Sequence, residues 1–424
     1  MVHQLSEAVT NHRAWLTHLF DVGVASCHPR TVLPPLLPRD APRGKNIVLG
    51  AGKAAAAMAA ATSDTLAGDT VGLVVTRYGH AEKTQTGSIE VIEARHPVPD
   101  DQSIVAARRM LDLAATATAD DRIVFVFSGG GSALLCAPIA GVTPEQKQTV
   151  TRHLLYSGAN IAEINLVRKH LSTIKGGGLA VCGGDADMHT FVISDVVGDD
   201  PADVASGPSI GIDRDVDAAQ AVLERYAPPH LAELTTAMHA HETASPKPHP
   251  VTVVATAHQA LAAIANEASA NGWQSIIVDD DIEGDATLVG REHAALARRY
   301  RKSARRTALI SGGELTVKVN NPSGRGGPNL EYLTSLAIAL NAEHGIEAIA
   351  CDSDGLDGSE DNAGGYISPS TLPRARAAGV DPKQTLAKNN TYELLSATGD
   401  LIITGPTQTN VNDIRVILVD PQTA

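Results

Sequence analysis

Residues 122–135 read RIVFVFSGGGSALL: an apolar run of strand length, then Ser128, three glycines, Ser132 and an apolar continuation of helical character. A continuous rather than alternating apolar run is the pattern of a strand covered on both faces by helices. The glycines that end it admit two readings. One is a tight turn; the other is a cradle of backbone N–H groups aimed at an anion. The same design of strand, glycine turn, then helix or new strand recurs at VLGAGKAAAAMA (48–59) and LISGGELTV (309–317). In α/β sheets ligands gather at the carboxyl ends of strands, and glycine lets the backbone come close to a phosphate. Recurrence favours the anion reading. It places Gly50, Gly52, Ser128, Gly129, Gly130, Gly131, Ser132, Ser311, Gly312, Gly313 and Glu314 among the expected nucleotide- or substrate-binding residues.

Outward from these turns, runs of strand length alternate with amphipathic stretches of helical length. Expected strands are 45–50, 71–76, 89–94, 122–127, 189–196, 251–256, 275–280, 307–311, 315–319, 346–351, 400–404 and 415–419. This is an α/β chain. Thr143-Pro144 with Gln146, and Asn160 with Glu163, read as capping boxes that start helices. At 424 residues two domains are expected. The X-Pro steps of HETASPKPHP (241–250) favour extended chain and mark the boundary, giving an N-terminal domain over 1–240 and a C-terminal one over 251–424. The helix expected at 3–23 has the choice of either domain.

A net charge of −14 argues against a nucleic-acid or anionic-membrane partner. The expected partner is a small anionic molecule held by a few local cations, with a homo-oligomer admitted. Cys27, Cys136, Cys182 and Cys351 are far apart and form no C-x-x-C pair, so neither a disulfide framework nor a structural zinc site is indicated. The first residues carry Glu7 and Arg13 inside their apolar pattern, unlike a signal peptide. No apolar run approaches the ~18 residues of a membrane helix, and a cytoplasmic location is expected.

The chemistry concentrates in five places. In the first turn Gly50, Gly52 and Ala55 nearly fit a dinucleotide fingerprint, but the next strand ends Thr76-Arg77 instead of in an acid. An NADPH-dependent reductase, with Arg77 on the extra phosphate, is therefore the runner-up. Lys53 points instead to phosphoryl transfer, where a lysine beside a glycine turn supplies counter-charge; a solvated surface lysine is the plain alternative. Two acidic loops follow strands, SDVVGDDPADVASGP (194–208) and CDSDGLDGSEDNAGG (351–365). The second fails as an EF-hand, since Leu356, Asp357 and Ala363 occupy ligand or glycine positions. Magnesium needs only one or two carboxylates besides phosphate oxygens, and Asp195, Asp199, Asp352 and Asp354 are the expected metal residues; ordinary turn chemistry is the alternative.

In NLVRKHLSTIKGGGLA (165–180), Arg168 and Lys175 either complement a helix C-terminus or hold an anion. In NPSGRGGPNLEYL (321–333), glycines flank Arg325 on both sides in a loop expected to be flexible, which suits a bidentate clamp on carboxylate or phosphate. Neither a Walker A motif nor the protein-kinase motif set is present.

Taken together, GAGKAAAAMA, SGGGSALL, NLVRKHLSTIKGGGLA, SDVVGDDPADVASGP, SGGELTV, GRGG, DSDGLDGSEDNAGG and GDLIITGPTQTNVNDIRVILV resemble the glycerate 2-kinases that end in a MOFRL domain, a family in which the name hydroxypyruvate reductase also occurs. The matching residues run from 50 to 419 in the family's order. The resemblance implies an ATP- and Mg²⁺-dependent kinase acting on the 2-hydroxyl of D-glycerate. It also implies a Rossmann-like N-terminal domain and a smaller α/β C-terminal domain, with the active site in the cleft between them. Lys53 and Arg325 are the catalytic residues it implies; Asp195 is the candidate general base, and Asn329 a ligand-binding residue. Departures fall beside the arginine, where GRGGPNLE has Pro328 and Leu330 in place of the family's basic and polar residues, and at NNTY (389–392) and GPTQTNVND (405–413). They keep other short hydroxy or sugar acids open as substrates. A non-catalytic sensor of sugar acids or nucleotides is the reading from another class, and the paired acidic loops count against it.

Overall fold

The strand that opens the sequence reading, β4 (Arg122–Phe127), is buried at every position, as is its neighbour β1 (Asn46–Ala51). This is what a run without alternation requires: both faces lie under helices. Arg122, the one charged residue of β4, is buried but paired, its Nε donating to Asp187 at 2.9 Å and its Nη2 to Asp40 at 3.1 Å. The computed structural model describes residues 11–81, 85–213, 215–228, 231, 233–241 and 244–422.

The chain divides into two compact units. The N-terminal unit, Pro29–Val254, is built on a six-stranded sheet in the order β3-β2-β1-β4-β5-β6. Besides β1 and β4 it contains β2 (Thr70–Arg77), β3 (Ile89–Ala94), β5 (Asp187–Ile193) and β6 (Val251–Ala255). The pairs β1–β2, β1–β4, β2–β3 and β4–β5 are parallel. This is the doubly wound, Rossmann-like order, in which the direction of strand addition reverses between β1 and β4. The strand Val251–Ala255, which the sequence reading assigns to the C-terminal domain, is the last strand of this first sheet. The stretch just before it is held there too, Thr190 N donating to the Pro250 carbonyl at 2.9 Å.

The C-terminal unit is Ala255–Ala424 together with the start of the chain through His28. Its main sheet runs β13 (Leu401–Ile402), β12 (Gly364–Ile367), β11 (Ile346–Asp352), β14 (Asp413–Val419), β9 (Thr307–Ser311), β7 (Gln274–Asp279), and all pairs but β7–β9 are antiparallel. A short parallel ribbon joins β8 (Gly284–Asp285) to β10 (Leu315–Thr316). Helix α1 (His12–Ser26) belongs to this unit: Gln259 Nε2 donates to the Ser26 carbonyl at 2.8 Å and Thr409 Oγ1 to that of Cys27 at 2.8 Å. Positions 3–10 of the expected first helix, and Glu242 and Thr243 of the 241–250 stretch, lie outside the described residues.

Local signals act as read. Thr143 and Gln146 form the capping box of α5 (Pro144–Ser157), with Pro144 in its first turn; Asn160 and Glu163 form that of α6 (Ile161–His170). Between β1 and these helices lie α2 (Ala55–Thr65), α3 (Asp101–Ala114) and the single turn α4 (Gly131–Leu134). Helices α7 (Ala257–Ala270), α8 (Ala286–Tyr300) and α9 (Pro328–Leu340) belong to the C-terminal unit. Among the described residues no helix is long and apolar enough to cross a membrane.

Candidate functional site

The turns after β1 and β4 are neighbours at the point where strand order reverses, the place where sheets of this kind take ligands. They differ in what they have to offer. In the first turn Gly52 N donates to the Val75 carbonyl (3.0 Å), Lys53 N to that of Gly129 (2.8 Å) and Ala54 N to Ser128 Oγ (3.0 Å). Gly52 has φ +137°, and a Cβ there would stand 2.1 Å from Ser128 Oγ. The expectation that this turn presents its amides to an anion therefore needs correcting. Its donors are spent on neighbouring backbone and on Ser128, and Gly52 is required by the close approach of the two loops. Ser128, fully buried, is the acceptor that ties them together. What the first turn adds to the site is the Lys53 side chain.

In the second turn the amides of Gly129 and Gly130 make no hydrogen bond among the described residues. Gly130 is left-handed (φ +80°), and a Cβ on it would lie 3.2 Å from the His96 ring and 3.3 Å from Lys53 Cγ. The turn thus packs directly between two side chains able to carry positive charge. Sequence reading did not single out His96.

Beside this turn is a cavity of about 390 Å³, lined by Gly130 and Ser132 and by His96, Lys147, Arg168 and Lys175. Arg152 adds another cation, and among the described residues no carboxylate lines it. Lys175 is almost fully buried; its Nζ donates to the Ser132 carbonyl at 2.7 Å and to Ser132 Oγ at 3.2 Å, and Ser132 Oγ meets Ser206 Oγ at 2.8 Å. Burial, reinforced by Lys147 and Arg168, pushes the Lys175 pKa well below its ordinary value. Burial likewise lowers Arg168, and takes Lys147 down to about 8. Concentrated, desolvated positive charge without a lining carboxylate is the electrostatic signature of an anion site.

The basic triplet of α6 splits three ways. Arg168 lines the cavity, Lys169 pairs with Asp203 at 3.0 Å, and His170 Nδ1 sits 2.8 Å from the Leu166 carbonyl in its own helix. Sequence reading also passed over Lys147. The available signal was its register: Lys147, Val150 and Leu154 fall at i, i+3 and i+7 on the buried face of α5, which puts a lysine on an apolar stripe.

The acidic loops differ in turn. In the loop after β5, Asp195 and Asp199 are at least partly exposed, and Asp199 has φ +54°. In the loop after β11 the carboxylates hold their own backbone: Asp352 accepts from Asp354 N (2.9 Å), Asp354 from Leu356 N (2.7 Å), and Asp357 from the amides of Asn329 and Leu330 (both 3.0 Å) at the start of α9. Among the described residues only Asp279, Asp280 and Asp281, which no motif indicated, bring three ligand atoms within 4.8 Å of one another. Magnesium requires only one or two carboxylates. Asp195 and Asp199 have the donor chemistry for it and are partly exposed, whereas Asp354 is fully buried with its Oδ1 serving as a turn acceptor.

The remaining expected residues of the C-terminal unit serve two structural networks. In the third glycine turn Gly312 N donates to the Asp279 carbonyl (2.9 Å), and the carbonyls of Gly312 and Gly313 accept from buried Arg415 at 2.6 and 2.8 Å. Ser311 is buried at the end of β9, and Glu314 beyond it is exposed. Of the amides expected to cradle an anion, that of Gly312 is thus taken, while the carbonyls of the turn fasten Arg415, which also pairs with Asp413 at 2.7 Å. Asn329 Nδ2 donates to the same Asp413 at 2.6 Å.

Arg325 is placed differently. Its guanidinium makes a two-point contact with Glu360 (3.0 and 2.7 Å), lies 4.5 Å from the Tyr392 ring centroid, and keeps 56% of its side-chain surface exposed. Glu360, as hydrogen-bond partner first of all, raises the arginine's already high pKa. The expected flexibility of its loop is corrected by packing. A Cβ on Gly324 would stand 2.3 Å from the Asn389 carbonyl, and Tyr392 N donates to the Arg325 carbonyl at 3.0 Å. Pro328 opens α9 in its first turn, where its missing N–H costs nothing, and Leu330 is fully buried in the core. Both departures beside the arginine thus have a local structural reason.

Fold and site together define a two-unit α/β protein with a cation-lined cavity beside the glycine turn after β4 of its N-terminal sheet. The chain belongs to the glycerate kinase family. A family model described as "Domain of unknown function (DUF4147)" matches residues 15–241, and one described as "MOFRL family" matches 307–413. A relative from Agrobacterium vitis named "Putative hydroxypyruvate reductase" is 45% identical over 96% of this chain and 94% of its own. The "D-glycerate 2-kinase" of Thermotoga maritima is 37% identical over 88% of this chain and 90% of its own. The crystal structure of glycerate kinase from Thermotoga maritima superposes with a TM-score of 0.84 at 34% identity, covering 97% of this chain and 100% of that one.

Proposed function

We propose that the protein transfers the terminal phosphoryl group of ATP to the 2-hydroxyl of D-glycerate in the presence of Mg²⁺, giving 2-phosphoglycerate. The observation that carries the reading is the cavity beside the turn after β4, walled by Lys147, Arg168 and Lys175 and, among the described residues, free of lining carboxylates. Such a wall repels cations and neutral sugars do not need it; a carboxylate and a phosphate do. Phosphoryl transfer asks the protein for positioning and charge stabilisation more than for covalent chemistry, and these residues supply both. Lys53, whose stem packs on Gly130, neutralises charge on the transferred group, and Arg325 supplies a second, forked cation. The free amides of Gly129 and Gly130 add backbone donors. Asp195 accepts the proton of the 2-hydroxyl. Magnesium, when bound, offsets charge on the ATP phosphates, with Asp195 and Asp199 the residues of this chain best suited to hold it.

ATP consumption with a panel of two- to five-carbon hydroxy acids tests the proposal. D-Glycerate is expected to be the best acceptor, and an ATP turnover indifferent to every acid would remove it. A second reading, an NADPH-dependent hydroxypyruvate reductase, is favoured by the name of the Agrobacterium relative and by Arg77 at the end of β2. It requires oxidation of NAD(P)H by hydroxypyruvate at enzymatic rates, which the kinase reading predicts will not occur.

The metal assignment has its own test. Asp195→Asn is expected to raise the Mg²⁺ concentration for half-maximal rate and lower kcat, while Asp354→Asn disturbs its turn and lowers thermal stability instead. The converse pattern would move the metal to the loop after β11.

A further inference from the structure

We propose that Lys147 and Arg168 form the subsite that takes the carboxylate of the acid substrate. The identity of that acid rests on the kinase reading above; the charge of the ligand rests on the cavity alone.

Besides Lys53, three lysines stand near this cavity, and the structure accounts for two of them. Lys175 is satisfied by the carbonyl and hydroxyl of Ser132 (2.7 and 3.2 Å), and Lys169 by Asp203 (3.0 Å). Lys147 is 7% exposed, and its Nζ has no hydrogen-bond partner among the described residues. A buried ammonium in that state is expensive for the fold, and its position is not an accident of a loose surface. It occupies the inner face of α5 between residues fixed in the core: Val150, one turn on, is 1% exposed and Leu154 is wholly buried. The helix holds the charge in the cavity wall without giving it an acceptor. Arg168 approaches from α6; burial lowers its pKa, and among the described residues no carboxylate lines the cavity beside it. A point charge and a planar fork facing one small space are complementary to the two oxygens of a carboxylate.

The rest of the wall favours the acid over the nucleotide. Pro97, Ala133 and Leu135 give it apolar sides suited to a short carbon skeleton. Its volume of about 390 Å³ is toward the small end of ligand sites, roughly 300–1,000 Å³. A three- or four-carbon acid fits whole within it.

The titratable groups that line the cavity with Lys147 are His96, Cys136, Arg168 and Lys175 from other elements and Arg152 on its own helix. None is an acid. Because its pKa is near 8, the ammonium loses its proton, and with it the hold on an anion, as pH rises through that value.

The test uses Lys147→Met, Lys147→Gln and Lys147→Arg in the full chain. KM is measured separately for D-glycerate and ATP, and D-glycerate binding without ATP is followed by calorimetry, with inorganic phosphate as a second probe. Loss of one charge-assisted hydrogen bond predicts a rise of about ten- to hundredfold in KM and Kd for the acid. KM for ATP should stay within about twofold, with part of the acid affinity returned by arginine. Ligand-free thermal stability should be unchanged or higher, since an unpaired buried charge is gone. In the wild type the acid's KM should climb above pH 8, and the Met variant should lack that inflection. A rise confined to the KM for ATP would overturn the proposal and give the cavity to nucleotide phosphates; unchanged constants for both would overturn it by making Lys147 structural. If the wild type phosphorylates no acid, the kinase reading falls, and loss of calorimetric anion binding in Lys147→Met still upholds the subsite.

Discussion

Arg325→Ala is expected to lower kcat by about 10²–10³, the usual cost of removing one donor that stabilises transition-state charge, with KM for ATP little changed. The expectation comes from the state of this side chain. Its fork is held flat by Glu360 and Tyr392, so it is pre-shaped for two oxygens, and more than half of its surface remains open. A solvent-exposed pair with Glu360 contributes little to stability, so the alanine variant should unfold at nearly the wild-type temperature. Arg325→Lys keeps the charge, loses the fork and should recover only part of the rate. Glu360→Gln is the control that separates the two roles of the arginine. If Arg325 exists to anchor its loop through Glu360, the glutamine variant should fail as badly as the alanine one. If it exists to meet a phosphoryl group, Glu360→Gln should stay within about tenfold of wild type, because the fork survives. Wild-type kinetics in Arg325→Ala would remove the arginine from the mechanism.

Lys53→Met should cost about as much, on the order of 10²–10³ in kcat, and for a related reason. The backbone of its turn has no donors left to give an anion, since those of Gly52, Lys53 and Ala54 are bound to Val75, Gly129 and Ser128. Charge delivered from the first turn must therefore come from the side chain. Methionine keeps the apolar stem against Gly130 and removes only the ammonium, so stability should hold while rate falls. A variant that loses stability and rate in parallel would mark Lys53 as a packing residue.

What the sequence disclosed follows from how local each signal is. The run RIVFVF and its glycine turn identified a strand buried on both faces, because six residues of near-continuous apolarity closed by glycines are too short for a buried helix. The capping boxes at Thr143 and Asn160 are complete in a few residues. Short elements such as Gly284–Asp285 and Gly364–Ile367 carried no pattern to read, being stabilised by partners distant in the chain. The glycines were the harder case. Gly52, Gly130 and Gly313 look alike in sequence, yet one admits a neighbouring loop, one packs between His96 and Lys53, and one sits in a turn whose carbonyls hold Arg415. Glycine announces that something comes close, and only tertiary structure says what. The same limit applies to charge: Arg168 and Lys169 are adjacent letters, but helical geometry sends one to the cavity and the other to Asp203.

Transfer of a phosphoryl group to the 2-hydroxyl of glycerate is tested most directly by ³¹P NMR. The purified protein is followed with D-glycerate, ATP and Mg²⁺, and the product is identified by its coupling to the carbon-bound proton. The account predicts 2-phosphoglycerate growing in step with ADP. 3-Phosphoglycerate as the sole product, or ATP left intact while NAD(P)H is consumed with hydroxypyruvate, would contradict it.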